Sequence, residues 1–378
     1  MEFREFEKLG VKTSLLGFGC MRYPVNSDGS INEEMAEQMI DTAYKAGINY
    51  FDTAYPYHGG KSEIFTGKAL GKYDRSSYYL ATKLPVWLLE NEEDAERIFY
   101  EQLKKLNKDY VDFYLLHALN KERFDKLVSL GVLEVMDKLK AEGRIKHLGF
   151  SFHDGYEAFE HIIQYRPWDF CQIQLNYIDT EEQAGIKGYA LAEKLGVPLV
   201  IMEPVKGGAL AKLPQNITKH FEAIDPNRST ASWALRWVGS LPNVKVILSG
   251  MSDEDQVADN LNTFGEFKVL SEQEQLAVKA AADTLKSSVK NGCTGCAYCM
   301  PCPAGVDIPR NFRLWNEYGM YQNAESINRA WTKHVVDEIK AKNCVECGQC
   351  EDACPQKLSI RLNLKTLQAE FDNLCKIG

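Results

Sequence analysis

Cysteine is scarce over most of the sequence: of eleven residues, only Cys20 and Cys171 precede residue 290. A disulfide framework for that stretch is thereby excluded. No apolar run approaches the roughly 20 residues needed to span a bilayer, so no membrane helix is expected. Basic charge is in deficit, with 44 Lys and Arg against 53 Asp and Glu and a net charge of −9, which argues against a general binder of nucleic-acid backbone. The opening MEFREFEKLGVKTSLLGFG lacks the basic flank and continuous apolar core of a signal peptide. The expectation is a cytoplasmic chain with neither nucleic acid nor membrane as partner. The phosphate-cradling GxGxxG turn is missing too.

What is present divides in two. At 378 residues the chain exceeds one ordinary core and suits a barrel of roughly 250 residues with a smaller appended unit. Its 45% hydrophobic and 26% charged residues are of ordinary globular composition. The other nine cysteines follow residue 290, eight of them in two dense runs. In a reducing compartment, thiols so closely spaced are metal ligands sooner than disulfides. Residues 286–378 hold 12 basic and 10 acidic residues, against an excess of 11 acidic residues before them. Both changes set the expected boundary, with a barrel over 1–285 and a cysteine-rich domain over 286–378.

Along 1–285, short apolar, β-branched and aromatic runs alternate with longer amphipathic stretches, the pattern of repeated strand–helix units and a parallel sheet. The runs are SLLGFG before Cys20, INYF before Asp52, YYLAT before Lys83, VDFYLL before His117, IKHLGF before Ser151, DFCQI before Gln174, VPLVIM before Glu203 and VKVIL before Ser249. Eight is the strand number of an α/β fold of the (β/α)8 TIM-barrel kind. Helix candidates EEMAEQMIDTAYKAG and LEVMDKLKAEG end on Gly47 and Gly143, where a helix C-cap favours glycine. A parallel barrel gathers its strand ends at one mouth. Asp52, Lys83, His117, Ser151, Gln172, Gln174, Asn176, Glu203 and Ser249 are therefore expected together, unless they merely cap helices or satisfy loop backbone.

A carboxylate, a phenol, an ammonium and an imidazole in one cleft suit proton transfer at a carbonyl group. Tyr57 is the natural acid, its phenol having a free pKa of about 10 and needing a cation such as Lys83 to favour the ionised form. Asp52 would hold Lys83 charged, and His117 would donate to an oxygen on which negative charge develops. Taken singly, a buried Asp–Lys pair, a loop tyrosine and a strand-end histidine are also ordinary structural features.

The stretch FDTAYPYHGGKSE, the strand end LATK, the strand VDFYLLH, and the segments IKHLGFS, QIQLN and SGMSDEDQVADNL together resemble the ordered signatures of the aldo-keto reductase superfamily, over nearly all of 1–285. The resemblance implies a catalytic tetrad of Asp52, Tyr57, Lys83 and His117. It implies a nicotinamide cofactor, NADP(H) or NAD(H), across the barrel mouth, hydride delivery to the carbon of a small-molecule carbonyl substrate, and protonation of the oxygen by Tyr57. It also implies Ser151 and Gln172 at the carboxamide, with Ser249, Gly250 and Asn260 around the adenosine end. Such barrels do not use the GxGxxG turn. The chain departs from the common pattern at Phe152, where many relatives carry an amide, and at Met202, near the place of a stacking tyrosine. From Ser249 to Asp259 no Lys or Arg is present, while Asp253, Glu254, Asp255 and Asp259 would repel a 2′-phosphate, so both dinucleotides stay open. Trp87, Phe152, Tyr177 and PVKGGALAKLP are candidate pocket lining.

In the tail, CTGCAYCMPCP supplies Cys293, Cys296, Cys299 and Cys302, and CVECGQCEDACP supplies Cys344, Cys347, Cys350 and Cys354. The second run fits the C-x2-C-x2-C-x3-C-P spacing of bacterial iron–sulfur proteins, whereas the first shortens its last gap and leaves Cys302 the least typical ligand. The fourth cysteine of each run serves the other cluster in two-cluster ferredoxins. Two [4Fe-4S] clusters are thus expected, one on Cys293, Cys296, Cys299 and Cys354, the other on Cys344, Cys347, Cys350 and Cys302. A pair of all-cysteine zinc sites is the alternative. Between the runs, FRLWNEYGMY and SINRAWTKHVVDEIKA read as helices, so the tail resembles a mainly helical two-cluster ferredoxin-like module. Cys375 is expected to be a free thiol, and Cys20 and Cys171 to be core packing.

A hydride carries two electrons, a cubane normally exchanges one, and no flavin signature joins them. Three readings follow. The barrel reduces a carbonyl, or oxidises an alcohol, with NAD(P)H while the clusters serve another electron path or a ferredoxin-like partner. Alternatively, the clusters feed single electrons to a barrel-bound substrate, or the chain is a non-catalytic electron relay or redox sensor on a barrel scaffold. The first leads because all four tetrad positions are filled.

Overall fold

The computed structural model describes residues 1–377. The chain forms two compact units, residues 1–210 with 228–275, and residues 211–227 with those from 276 onward.

The first unit opens with an antiparallel hairpin, β1 (Phe3–Phe6) and β2 (Val11–Ser14). Its turn carries Gly10 at φ +63°, a conformation in which a side chain is strained. Eight strands follow: β3 (Leu16–Gly19), β4 (Tyr50–Asp52), β5 (Tyr79–Leu84), β6 (Val111–Leu119), β7 (Ile145–Phe152), β8 (Phe170–Gln174), β9 (Leu199–Met202) and β10 (Val244–Ser249). Each pairs in parallel with the next and β10 returns to β3, closing the barrel. These are the eight runs read from the sequence. The hairpin was not among them, because four-residue strands are too short to display a period.

Side chains alternate between the two faces of a strand, and the alternation builds two cores. Tyr50, Ala81, Phe113, Leu115, Phe170, Val200, Val246 and Leu248 fill the barrel interior together with Phe6 and Val11 of the hairpin. The Phe6 ring lies 5.4 Å from that of Phe113, so the hairpin packs at the end where the strands begin. Gly17 stays small because a Cβ there would fall 2.6 Å from the Val246 side chain. The intervening residues, among them Phe51, Tyr114, Phe150, Cys171, Ile201 and Ile247, face the surrounding helices in a separate, larger core.

Helix Glu33–Lys45 starts on Asn32, whose side chain accepts from the Met35 amide, and is followed by Gly47 at φ +99°. Helix Val132–Ala141 is followed by Gly143 at φ +74°. Both glycines stand where the sequence suggested a helix stop.

In the second unit, helices Ile308–Tyr321, Ala324–Lys333 and Ile360–Ile377 enclose Phe312, Trp315, Trp331, Leu367 and Phe371. FRLWNEYGMY lies within the first of these. The helix expected over SINRAWTKHVVDEIKA stops at Lys333 instead. Arg310 Nη2 captures the His334 carbonyl at 2.6 Å, Val336 turns extended, and Asp337 grips Lys340 and Lys342 around a 3-10 turn. Among the described residues, no helix is long and apolar enough to cross a membrane.

Candidate active site

The strand alternation decides which polar residues enter the mouth. Asp52, Lys83, His117, Ser151 and Gln172 each follow by two an inward residue, namely Tyr50, Ala81, Leu115, Gly149, which is in register with Leu115 and against the Phe170 ring, and Phe170 itself. They therefore face inward where the strands end. Phe152, by the same parity, faces outward, and its ring packs 5.2 Å from Phe159 in the helix-facing core. It does not line a pocket.

Lys83 is 1% exposed, and its Nζ lies 2.6 Å from Asp52 Oδ1, 2.8 Å from the Thr53 carbonyl and 3.4 Å from Tyr57 Oη. Burial pulls the ammonium pKa down, but Asp52 and Tyr57 outweigh it and hold Lys83 above its ordinary value. Burial pushes the Asp52 carboxyl up, with Lys83 opposing. Tyr57 opens the turn Tyr57–Gly60, in which His58, Gly59 and Gly60 all have positive φ. Its phenol is raised by burial, the Lys83 charge pulling the other way, so it is protonated at neutral pH.

The His117 ring stands edge-on to Tyr57, centroids 6.1 Å apart, with the Trp87 ring 5.1 Å away on another side. Burial, and secondarily the Lys83 charge, push its pKa down to about 2. The imidazole is therefore neutral. Strand β6 is irregular just beyond it, where Ala118 adopts φ +52°, a strain of about 1–2 kcal/mol for an L-residue. Both backbone groups of Ala118 are held by side chains, the N–H by Ser151 Oγ and the carbonyl by Arg123 Nη1, each at 2.8 Å.

A carboxamide needs one acceptor and one donor. Gln172 Oε1 is buried without a partner, and Ser151 Oγ, which accepts from Ala118, retains its own O–H to donate. The residues present thus fit a nicotinamide. Ser249 faces the helix side, where it accepts from Asn260 Nδ2 at 2.9 Å. Over Gly250 lies Arg22, whose side chain would be 3.1 Å from any added Cβ, and whose Nη2 comes 3.5 Å from the same point at Gly207. A cation is therefore present here even though residues 249–259 contain none. The sequence reading missed it by searching only that segment, although Arg22 also follows a strand end. Of the four acids, Asp253 is engaged with the Gln256 amide and Asp259 with Ser229. Gln174 and Asn176 both bind Asp179, which Lys206 clamps at 2.6 Å through both oxygens.

In the second unit, one pocket is lined by Cys293, Cys296, Cys299 and Cys354 together with Ile308, Phe312 and Leu358. The fourth thiol of the second run thus joins three of the first. Of the other four, Cys344 and Cys350 lie close enough for charge interaction, and each of them, like Cys302, packs against the helical core. The two loops repeat one backbone shape, with positive φ two and four residues after the first cysteine: Gly295 and Ala297, then Glu346 and Gly348. Such alternation turns successive N–H groups inward into an anion-holding concavity, a recurrent form of iron–sulfur sites. Loop shape, thiols and apolar walls fit a cluster.

A model of the aldo/keto reductase family matches residues 15–283, and one of the 4Fe-4S dicluster domain matches residues 292–358. The chain belongs to the aldo/keto reductase family, and so is an oxidoreductase, and it carries a 4Fe-4S dicluster domain. It is 28% identical to L-galactose dehydrogenase of Arabidopsis thaliana, over 76% of this chain and 96% of that protein. With the NADH-specific methylglyoxal reductase of Escherichia coli it shares 24% identity, over 62% of this chain and 84% of that one. Among solved structures, the holo form of an aldo-keto reductase from Bacillus halodurans superposes with a TM-score of 0.63 at 26% identity, covering 74% of this chain and 96% of that one.

Proposed function

We propose that the barrel interconverts a carbonyl compound and an alcohol with NAD(P)H, with Asp52, Tyr57, Lys83 and His117 as its catalytic residues. Residues 286–378 hold two [4Fe-4S] clusters on a separate one-electron path to a ferredoxin-like partner. A cytoplasmic, reducing setting suits these thiols. The observation that carries the reading is a neutral phenol, Tyr57, held 3.4 Å from a buried ammonium in a mouth with an orphaned amide oxygen. Relatives named as a methylglyoxal reductase and an L-galactose dehydrogenase support it.

A nicotinamide, when bound, supplies a hydride to the carbonyl carbon. Tyr57 gives its phenolic proton to the carbonyl oxygen, completing the alcohol. The negative charge left on Tyr57 Oη is stabilised by Lys83 until solvent returns a proton. Asp52 keeps Lys83 charged and aimed, and neutral His117 donates an N–H to the oxygen as charge builds there. Ser151 and Gln172 would hold the cofactor's carboxamide, and Ser249, Gly250 and Asn260 would border its adenosine end.

Tyr57→Phe removes the acid and leaves the packing. It is expected to lower kcat by about 10²–10⁴-fold with iron content unchanged. Undiminished turnover in that variant overturns the assignment.

A further inference from the structure

One cation beside the tetrad has no role in the proton transfer. Arg123 is half-buried in the first turn of helix Lys121–Ser129, 5.5 Å from the Trp87 ring, which itself borders His117. Its Nη1 bonds the carbonyl of Ala118, the residue after His117, which sets the guanidinium at the end of β6. Nε and Nη2 make no hydrogen bond, and no carboxylate pairs with the group, among the described residues. Neighbouring charges are taken elsewhere: Lys121 pairs with Asp125, Asp154 holds the Lys121 and Gly155 amides, and Glu203 acts on His153.

A planar fork with free N–H groups matches a carboxylate in shape and in charge. A phosphate dianion would call for a second cation, and Lys121 is occupied. Resting on the reading of the barrel as a carbonyl reductase, we infer that Arg123 binds a carboxylate on the substrate, so that the preferred substrates are oxo acids sooner than neutral aldehydes. Trp87 forms the wall between the two ends of such a molecule.

The test compares 4-oxobutanoate with butanal, its neutral counterpart, in the cluster-loaded full chain, for the wild type and for Arg123→Gln and Arg123→Lys. The wild type is expected to favour the oxo acid. Both variants are expected to lose about tenfold or more in kcat/KM on the acid relative to butanal, the loss lying in KM. Binding of unreactive butanoate, followed by tryptophan fluorescence, is expected to weaken in parallel. Arg123→Lys keeps the charge without the fork and serves as a second variant if Arg123→Gln folds poorly. Equal losses on acid and aldehyde, or butanoate binding that is absent or indifferent to Arg123, overturn the inference. Butanoate binding that depends on Arg123, with neither compound turned over, upholds the carboxylate site and refutes the reductase reading instead.

Discussion

Lys83 shows how much one residue settles. Its ammonium is buried at a strand end with three oxygens around it, so removing it strands the Asp52 carboxylate. Lys83→Met is expected to cost about 3–5 kcal/mol, much of it recovered in Asp52→Asn/Lys83→Met, where no lone charge remains; denaturant unfolding of the three proteins reads this directly. His117 gives a pH signature. Its pKa falls from about 6.5 unfolded to about 2 folded, so below pH 6.5 the unfolded state binds the extra proton and stability drops as pH falls. His117→Asn should flatten that slope, by up to about 2 kcal/mol at pH 5, in urea unfolding across pH 6.5 to 5; parallel slopes would refute a buried neutral imidazole. At this scale the sequence was readable at Asp52, Lys83, His117 and Ser151, polar residues that end apolar runs, whereas Ser249 ends one too and faces the helices. Strand parity, also present in the sequence, would have sent Phe152 outward. Arg22 could not be placed over Gly250 from sequence, because that approach depends on the barrel closing.

Among elements, the eight barrel strands were legible because each is a compact apolar run bounded by polar or glycine residues, and the helices because glycine follows them. The hairpin was not, since its short strands carry no periodic signal. Nor was the early end of helix Ala324–Lys333, which Arg310 fixes from another helix. Gly67 marks a close approach of this kind: a Cβ there would lie 2.1 Å from the Leu106 carbonyl oxygen at the end of helix Glu92–Leu106. Gly67→Ala must push backbone apart and is expected to destabilise by about 1–3 kcal/mol, measured as a shift in the denaturant midpoint. An unshifted midpoint would show that the two helices separate freely.

For the whole molecule, cysteine distribution and charge revealed an appended module, and thiol spacing revealed its chemistry. The grouping of residues 211–227 with the later unit rests on contacts between distant segments, which composition does not carry. Cys354 lines the same cavity as Cys293, Cys296 and Cys299, so Cys354→Ala is expected to lose about half of the bound iron, whereas Cys375→Ser keeps all of it; equal iron in both variants would contradict the crossed ligand set. The most direct test of the whole account is a single anaerobic turnover of the cluster-loaded protein with dinucleotide deuterated at the transferring position. A probe aldehyde is the acceptor, and cluster absorbance is followed throughout. The account predicts deuterium on the alcohol carbon and clusters that stay unbleached. A product carbon without deuterium, formed as the clusters bleach, would contradict it.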